Sequence, residues 1–462
     1  MSTPSLTRLR NSSFGAKKEG TSYTYEAPDA TDGITVRQDV EVNLNREFLE
    51  DDTIVGTLSH SPSEPGMWSD DLGGMLPVYA RSGGNGTVPE FSVLMENAFG
   101  SQVDNADETV DDDPAMATTT TFTLTGATTY TAGQLILVDI DGNDTFYLTQ
   151  VQSQVGKVVT VWPPLPDDPD DLAPIKGGTN FMLLDDDWPL MSVRCQFEGT
   201  KYIKYKGCRV SQMEATFEVG QRVPINFTFV AAGLEGYGHE AETAFTANLD
   251  NTTRFLTCLG VELSAMYEGT AKGVPTTTET VLSTPDFAVA VGDELIAETA
   301  TEWETVTISN VSGAAGEDIT LTHAALTAAV SADDTVYVRR KKCASSGDSL
   351  TITLENTITP VNCMAETYGK VAIEQTGRMV TIAKNPFWMS WQELLLRDNA
   401  IGSALTVFMG TEENKIMVWY LPNIQNTEVS ITSEELMRTS VTSVANKDAT
   451  LGGGSEIVVA CF

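Results

Sequence analysis

Nowhere do the 462 residues contain an unbroken run of about 18 apolar side chains, so no segment reads as a membrane-spanning helix. The start, Met1 to Lys18, is polar and basic and lacks the apolar centre of a secretion signal, so assembly in the cytoplasm without a membrane partner is expected. Histidine is scarce: His60, His239 and His323 stand in unrelated contexts and read as ordinary loop or strand residues. The six cysteines (Cys195, Cys208, Cys258, Cys343, Cys363 and Cys461) never show the C-x-x-C spacing of a zinc site or the density of a disulfide scaffold. Free, mostly buried thiols are expected. Nucleotide-binding, zinc-protease and hydrolase signatures are missing, as is any Ser/His/Asp or Cys/His arrangement. The expectation is a protein that is not an enzyme, with no catalytic, cofactor-binding or metal-ligating residue to assign.

Positive charge is also in short supply. Lys and Arg number 28 against 64 Asp and Glu, a formal net charge of −36. Sequence-independent DNA affinity comes from Lys and Arg neutralising phosphates, so a conventional DNA-binding surface is disfavoured. A hydrophobic content of 41% is nevertheless that of a folded chain, and the length favours two to four domains.

The acidic residues do not assemble a convincing metal site. Asp139-Ile-Asp-Gly-Asn-Asp144 begins as a calcium loop does, but Asp144 stands where glycine is needed and Gln150 where a bidentate glutamate belongs. An Asp-Gly hairpin turn between residues 135–138 and 145–148 accounts for the same letters. The clusters at 111–113, 167–171 and 185–187 read as solvated, mutually repelling loops.

What the chain has in abundance is period-two alternation rich in Thr and Val. Ile34 to Asn45 reads as one strand with Ile34, Val36, Val40, Val42 and Leu44 on one face. Residues 209–230 read as a hairpin about Gly220, with Met213, Ala215 and Phe217 facing Ile225, Phe227 and Phe229. Residues 405–409 and 416–421 form another hairpin about Gly410-Thr-Glu-Glu-Asn414, and Ser455 to Phe462 reads as a final strand. Only two segments look helical. Pro89 to Phe99 carries Phe91, Leu94, Met95 and Ala98 on one side and stops at Gly100, while Pro386 to Asp398 carries Trp388, Trp391, Leu394 and Leu395.

An internal echo joins two stretches. Gly133, the pair Leu135-Ile136, Val151 and Leu165 recur as Gly292, Leu295-Ile296, Val311 and Leu326, which predicts a small β module used twice. The fold expected is mainly β: two tandem β-sandwich or half-barrel domains, each with one short helix and an inserted β module. The ranges are an arm at 1–33, a first domain at 34–245 with an insertion at about 115–190, and a second at 246–462 with an insertion at about 274–342.

The polar start Gly15-Ala-Lys-Lys-Glu-Gly-Thr-Ser-Tyr23, the strand pattern of 34–45, the helix 89–100 and, above all, Glu198-Gly-Thr-Lys-Tyr-Ile-Lys-Tyr-Lys-Gly-Cys208 followed by Ile225 to Gly233 resemble the tail tube (major tail) proteins of long-tailed, siphovirus-type bacteriophages. The second half, with Trp419-Tyr-Leu-Pro-Asn423 and the terminal strand, looks like a second copy. The resemblance implies a structural protein of the virion tail that self-assembles into stacked rings, a negatively charged conduit for DNA ejection. A doubled subunit is similar to those whose rings are homotrimers with pseudo-sixfold symmetry, and three copies at −36 each carry −108 per ring. The implied partners are further copies, the tape-measure protein and DNA in the lumen, and tail terminator and distal tail proteins at the ends. The helices would pack outside the barrel, the insertions would decorate the exterior, and the arm and long loops would join stacked rings. The alternatives are another tail ring protein, terminator or distal tail, or a β-module adhesin binding carbohydrate through Trp162 or Trp303.

Overall fold

The computed structural model describes residues 12–49, 64–81, 88–111, 117–140, 146–186, 188–198, 200–218, 220–239, 245, 256, 262–285, 287, 289–299, 303–313, 317–341, 349–363, 370–386, 392–410, 415–432, 437–447 and 454–462. Strand makes up 61% and helix 4%, so the chain is mainly β and the layers are sheet upon sheet.

A curled half-barrel sheet runs through both halves of the chain. Its strands lie side by side in the order Gly73–Tyr79, Pro224–Gly238, Lys201–Glu218, Ser349–Asn362, Lys370–Lys384, Arg438–Ala445, Met417–Thr432, Gly402–Met409 and Glu262–Thr276, every neighbouring pair antiparallel. The 209–230 hairpin is present, and its longer strand joins the halves, because Gln212–Glu218 pairs with Glu355–Ser349. The terminal strand is shorter than its pattern and spans Val458–Cys461; it is flanked on one side by Met417–Tyr420 and on the other by Thr179–Met182. Inward residues of both layers share one core, in which buried Trp419 meets Phe217 edge to face at 5.7 Å.

Two expectations change. Ile34 to Asn45 is not one strand: Gly33–Ile34 pairs with the chain start and Glu41–Asn43 with Gly73–Met75, so the segment crosses between two ladders. Arg37 N–H donates to Pro77 O on the way, and Thr35 N–H donates to the Glu90 carboxylate. The alternation records burial beside two different strands and not one straight run, which leaves Leu44 exposed. The chain start is likewise built into the fold. Ser12–Lys18 pairs with Met191–Phe197 and buries Phe14 and Ala16.

Both helices are short. The first, Ser92–Phe99, buries Leu94, Met95, Ala98 and Phe99 and ends at Gly100, whose φ of 105° suits glycine. The second, Gln392–Asp398, buries Leu396, with Leu394 and Leu395 half-buried; Trp388 and Trp391 lie outside the described residues. The first helix precedes its module and the second follows its own, so the halves are not wired alike.

Each module is a closed six-stranded barrel; the first packs against the half-barrel sheet and the second is continuous with it. In the first, Glu108–Thr109, Pro174–Lys176, Leu135–Asp139, Phe146–Val155, Val158–Trp162 and Thr121–Thr123 follow one another, and the pairing of Val110 with Leu124 closes the ring. In the second, Glu262–Thr276, Thr335–Lys341, Glu294–Glu298, Trp303–Ser312, Ile319–His323 and Glu279–Leu282 close in the same order. The first barrel is entered and left through Gly100–Asp104 paired with Thr179–Leu183, which also pairs with Val458–Cys461; in the second, the ladder of 264–270 with 335–341 belongs to the barrel while 262–267 pairs with 403–408 of the half-barrel.

The repeat extends to single hydrogen bonds. Gly133 and Gly292 adopt φ of 96° and 94°, and their N–H groups donate to Val151 O and Ile308 O. Leu165 N–H donates to Thr119 O as Leu326 N–H does to Thr277 O. Ile308 is thus the counterpart of Val151, in place of Val311. Where the first barrel buries Phe122 and Val161, the second buries Thr280 and His323, joined by a 3.0 Å hydrogen bond from Thr280 Oγ1 to His323 Nε2 or the reverse. The calcium-like letters belong to a hairpin, Leu135–Asp139 with Phe146–Val155, whose turn at 141–145 lies outside the described residues.

Candidate functional site

The outward face of the half-barrel, opposite the shared core, arises from strand alternation; the first barrel covers part of it, where Leu135 and Leu137 pack against Ala404, Val418 and Tyr420. Along Lys201–Glu218, Met213, Ala215 and Phe217 point into the core, so Gln212, Glu214, Thr216 and Glu218 point out. The neighbouring strands bury Ile225 and Phe227, Ile352 and Leu354, and Val380 and Ile382. Their partners on the outer face are Asn226 and Thr228, Thr351, Thr353 and Glu355, and Met379, Thr381 and Ala383.

Register sets these side chains in rows across the curved sheet. One row runs Thr228, Gln212, Glu355, Met379. The next runs Asn226, Glu214, Thr353, Thr381, Val444, Gln425, and a third runs Thr216, Thr351, Ala383, Thr442, Glu428. The three rows hold Glu214, Glu355 and Glu428 and neither Lys nor Arg. Such a face offers hydroxyls and carboxylates, and it repels polyanions.

A polar joint holds the two halves in register behind this face. Val210 lies where the ladder to Met191–Phe197 has ended and the ladder to Ser349–Asn362 has not begun, so its outward N–H and C=O face no strand. Asn97 and Asn356 fill the gap. Asn97 Oδ1 accepts from Val210 N–H at 2.6 Å, and its Nδ2 donates to Pro189 O and Cys208 O. Asn356 Nδ2 donates to Val210 O at 3.1 Å and to Ala98 O at 3.0 Å. Both asparagines are buried, and the sequence alone did not single them out.

Glu19 forms a second polar joint, fixing the chain start. Its Oε1 accepts from Ser192 Oγ at 2.8 Å and from Gly207 N–H at 2.7 Å, and burial pushes its carboxyl above the ordinary glutamate range. Asp29 is the contrary case. Hydrogen bonds from Thr31 and Lys17 hold it at about 2.

Among the described residues Cys195, Cys208 and Cys461 are buried free thiols and Cys363 is exposed. Burial pushes Cys195 and Cys461 up to about 12, which makes them poor nucleophiles. Among the described residues no group of three or more His, Cys, Asp or Glu that could hold a metal ion occurs, and no helix is long and apolar enough to cross a membrane. Trp162 and Trp303 come together: their rings meet edge to face at 5.0 Å, and Trp162 meets Tyr337 at 4.9 Å.

Fold and face together define a class: a mainly β protein whose curled sheet presents an acidic, hydroxyl-rich face and carries two barrels. Comparison of the chain with protein-family models and with curated proteins finds no match.

Proposed function

We propose that the chain is a tail tube protein of a long-tailed bacteriophage, a structural protein that self-assembles into stacked rings around a conduit for DNA. The observation that carries the reading is the curled half-barrel whose outward face bears three rows free of Lys and Arg. On this reading further copies around a ring extend the curled sheet into a closed barrel. The rows of Thr and Glu then line the channel, where DNA passes without being gripped because the rows themselves hold no Lys or Arg to neutralise its phosphates. Since the chain supplies strands from both halves to one continuous sheet, a homotrimer would close a ring of six similar units. On this reading the tape-measure protein and DNA occupy the lumen, and terminator and distal tail proteins cap the ends.

Negative-stain electron microscopy of concentrated protein, with mass photometry of dilute protein, tests the proposal. Hollow tubes, or threefold rings with a central channel, support it. A chain that stays monomeric at high concentration, also when mixed with preformed tail-tip complexes, refutes it. One ring of copies per parent particle would assign the chain to a terminator or distal tail position.

A further inference from the structure

The two barrels touch, and their contact is one wall of a cleft. Thr119 Oγ1 of the first donates to Trp303 O of the second at 2.7 Å, and the rings of Trp162, Trp303 and Tyr337 cluster beside it, each half-buried. Strands of the half-barrel floor the cleft through Met266, Ala404 and Tyr420. Its volume is about 960 Å³, near the top of the ~300–1,000 Å³ typical of small-molecule sites.

The lining chemistry selects the ligand. Aromatic rings stand beside amides and hydroxyls, those of Gln152, Thr160 and Asn423, and the lining contains one carboxylate, Glu268, and neither Lys nor Arg. A phosphate, sulfate or uronate would find no cation here, and a wholly apolar ligand would leave the amides without partners. A pyranose chain satisfies both demands. Its C–H face stacks on the electron-rich face of an aromatic ring, and its hydroxyls both donate and accept.

Gln152 supplies an independent observation. Between Val151, opposite Val161, and Ser153, opposite Thr160, it is the extra residue of a β-bulge, a device that re-aims a side chain. Here the side chain it aims is a cleft residue. We infer that the cleft between the barrels binds a neutral oligosaccharide, with Trp162, Trp303 and Tyr337 as the stacking surface and Gln152, Thr160 and Asn423 as hydrogen-bonding groups. The cleft shares no residue with the acidic rows, so this inference and the tube reading fail separately.

The test is a neutral-glycan array with the full-length chain, followed by calorimetry and tryptophan fluorescence with maltoheptaose, cellohexaose, chitohexaose and a heparin hexasaccharide. The expected result is binding of at least one neutral oligosaccharide, a fluorescence change on binding, and none with heparin. Trp303→Ala and Gln152→Ala should each weaken binding about tenfold or more. Trp303 also joins the barrels, so near-ultraviolet circular dichroism checks its variant, and Gln152→Ala decides the matter if that variant is misfolded. Glu214→Gln, outside the cleft, should bind as the parent does. Absence of binding across the neutral array, preference for heparin, or unchanged affinity in Gln152→Ala overturns the inference.

Discussion

Removing the two asparagines that stand in for a missing strand should destabilise the protein by unequal amounts. Asn97→Ala leaves the buried Val210 N–H without its acceptor and takes a donor from Pro189 O and Cys208 O. A buried N–H left unpaired costs about 1–3 kcal/mol, and each carbonyl, which keeps a second lone pair, costs less, so the change should cost about 3–4 kcal/mol. Asn356→Ala removes donors to Val210 O and Ala98 O and the acceptor for Gln375 Nε2, orphaning no backbone N–H. Its expected cost is about 2 kcal/mol. Because both amides meet at Val210, the double variant should cost less than the sum of the singles, by about 0.5–1 kcal/mol. Urea unfolding followed by tryptophan fluorescence gives all four corners of the cycle. Costs below about 0.5 kcal/mol, or Asn356→Ala costing more than Asn97→Ala, would refute the argument that these side chains complete the ladder.

Three further outcomes follow from the geometry. Glu214→Lys combined with Glu355→Lys changes the formal charge of the face by +4 per chain, so assembled material should retain duplex DNA at low salt and release it as salt rises, whereas the parent retains none in a filter-binding assay. Glu19 should make stability fall as pH rises: its carboxyl is raised on folding, so its contribution is complete below the unfolded glutamate value and lost as pH climbs through the folded one. Glu19→Gln keeps an acceptor for Ser192 and Gly207, so its melting temperature should overtake that of the parent on going from pH 4 to pH 8; a constant difference would count against a buried, raised carboxyl. Gly133→Val and Gly292→Val each force a β-branched residue to a φ near 95°, and both should cost about 2 kcal/mol or more by thermal unfolding, in step with the equivalence of the barrels.

Much of the molecule was legible in the letters. Alternation in 209–230 gave the hairpin, its buried face and therefore its exposed face, because a strand with a period of two has no third choice. Spaced glycines and leucines announced the repeated module, since Gly133 and Gly292 sit at a positive φ that few other residues tolerate. Tertiary structure decided what pairing decides. Which strand lies beside which is not written in either strand, so the ladder joining Gln212–Glu218 to Glu355–Ser349, the rows of Thr and Glu it aligns, and the closure of the barrels depended on the whole fold. The same holds for the split of 34–45 between two ladders and for Asn97 and Asn356, which look like any asparagines until a gap in the sheet gives their amides work. Trp162 and Trp303, 141 positions apart in sequence, became one aromatic wall only when two separately closed barrels were brought into contact by the sheet that carries them.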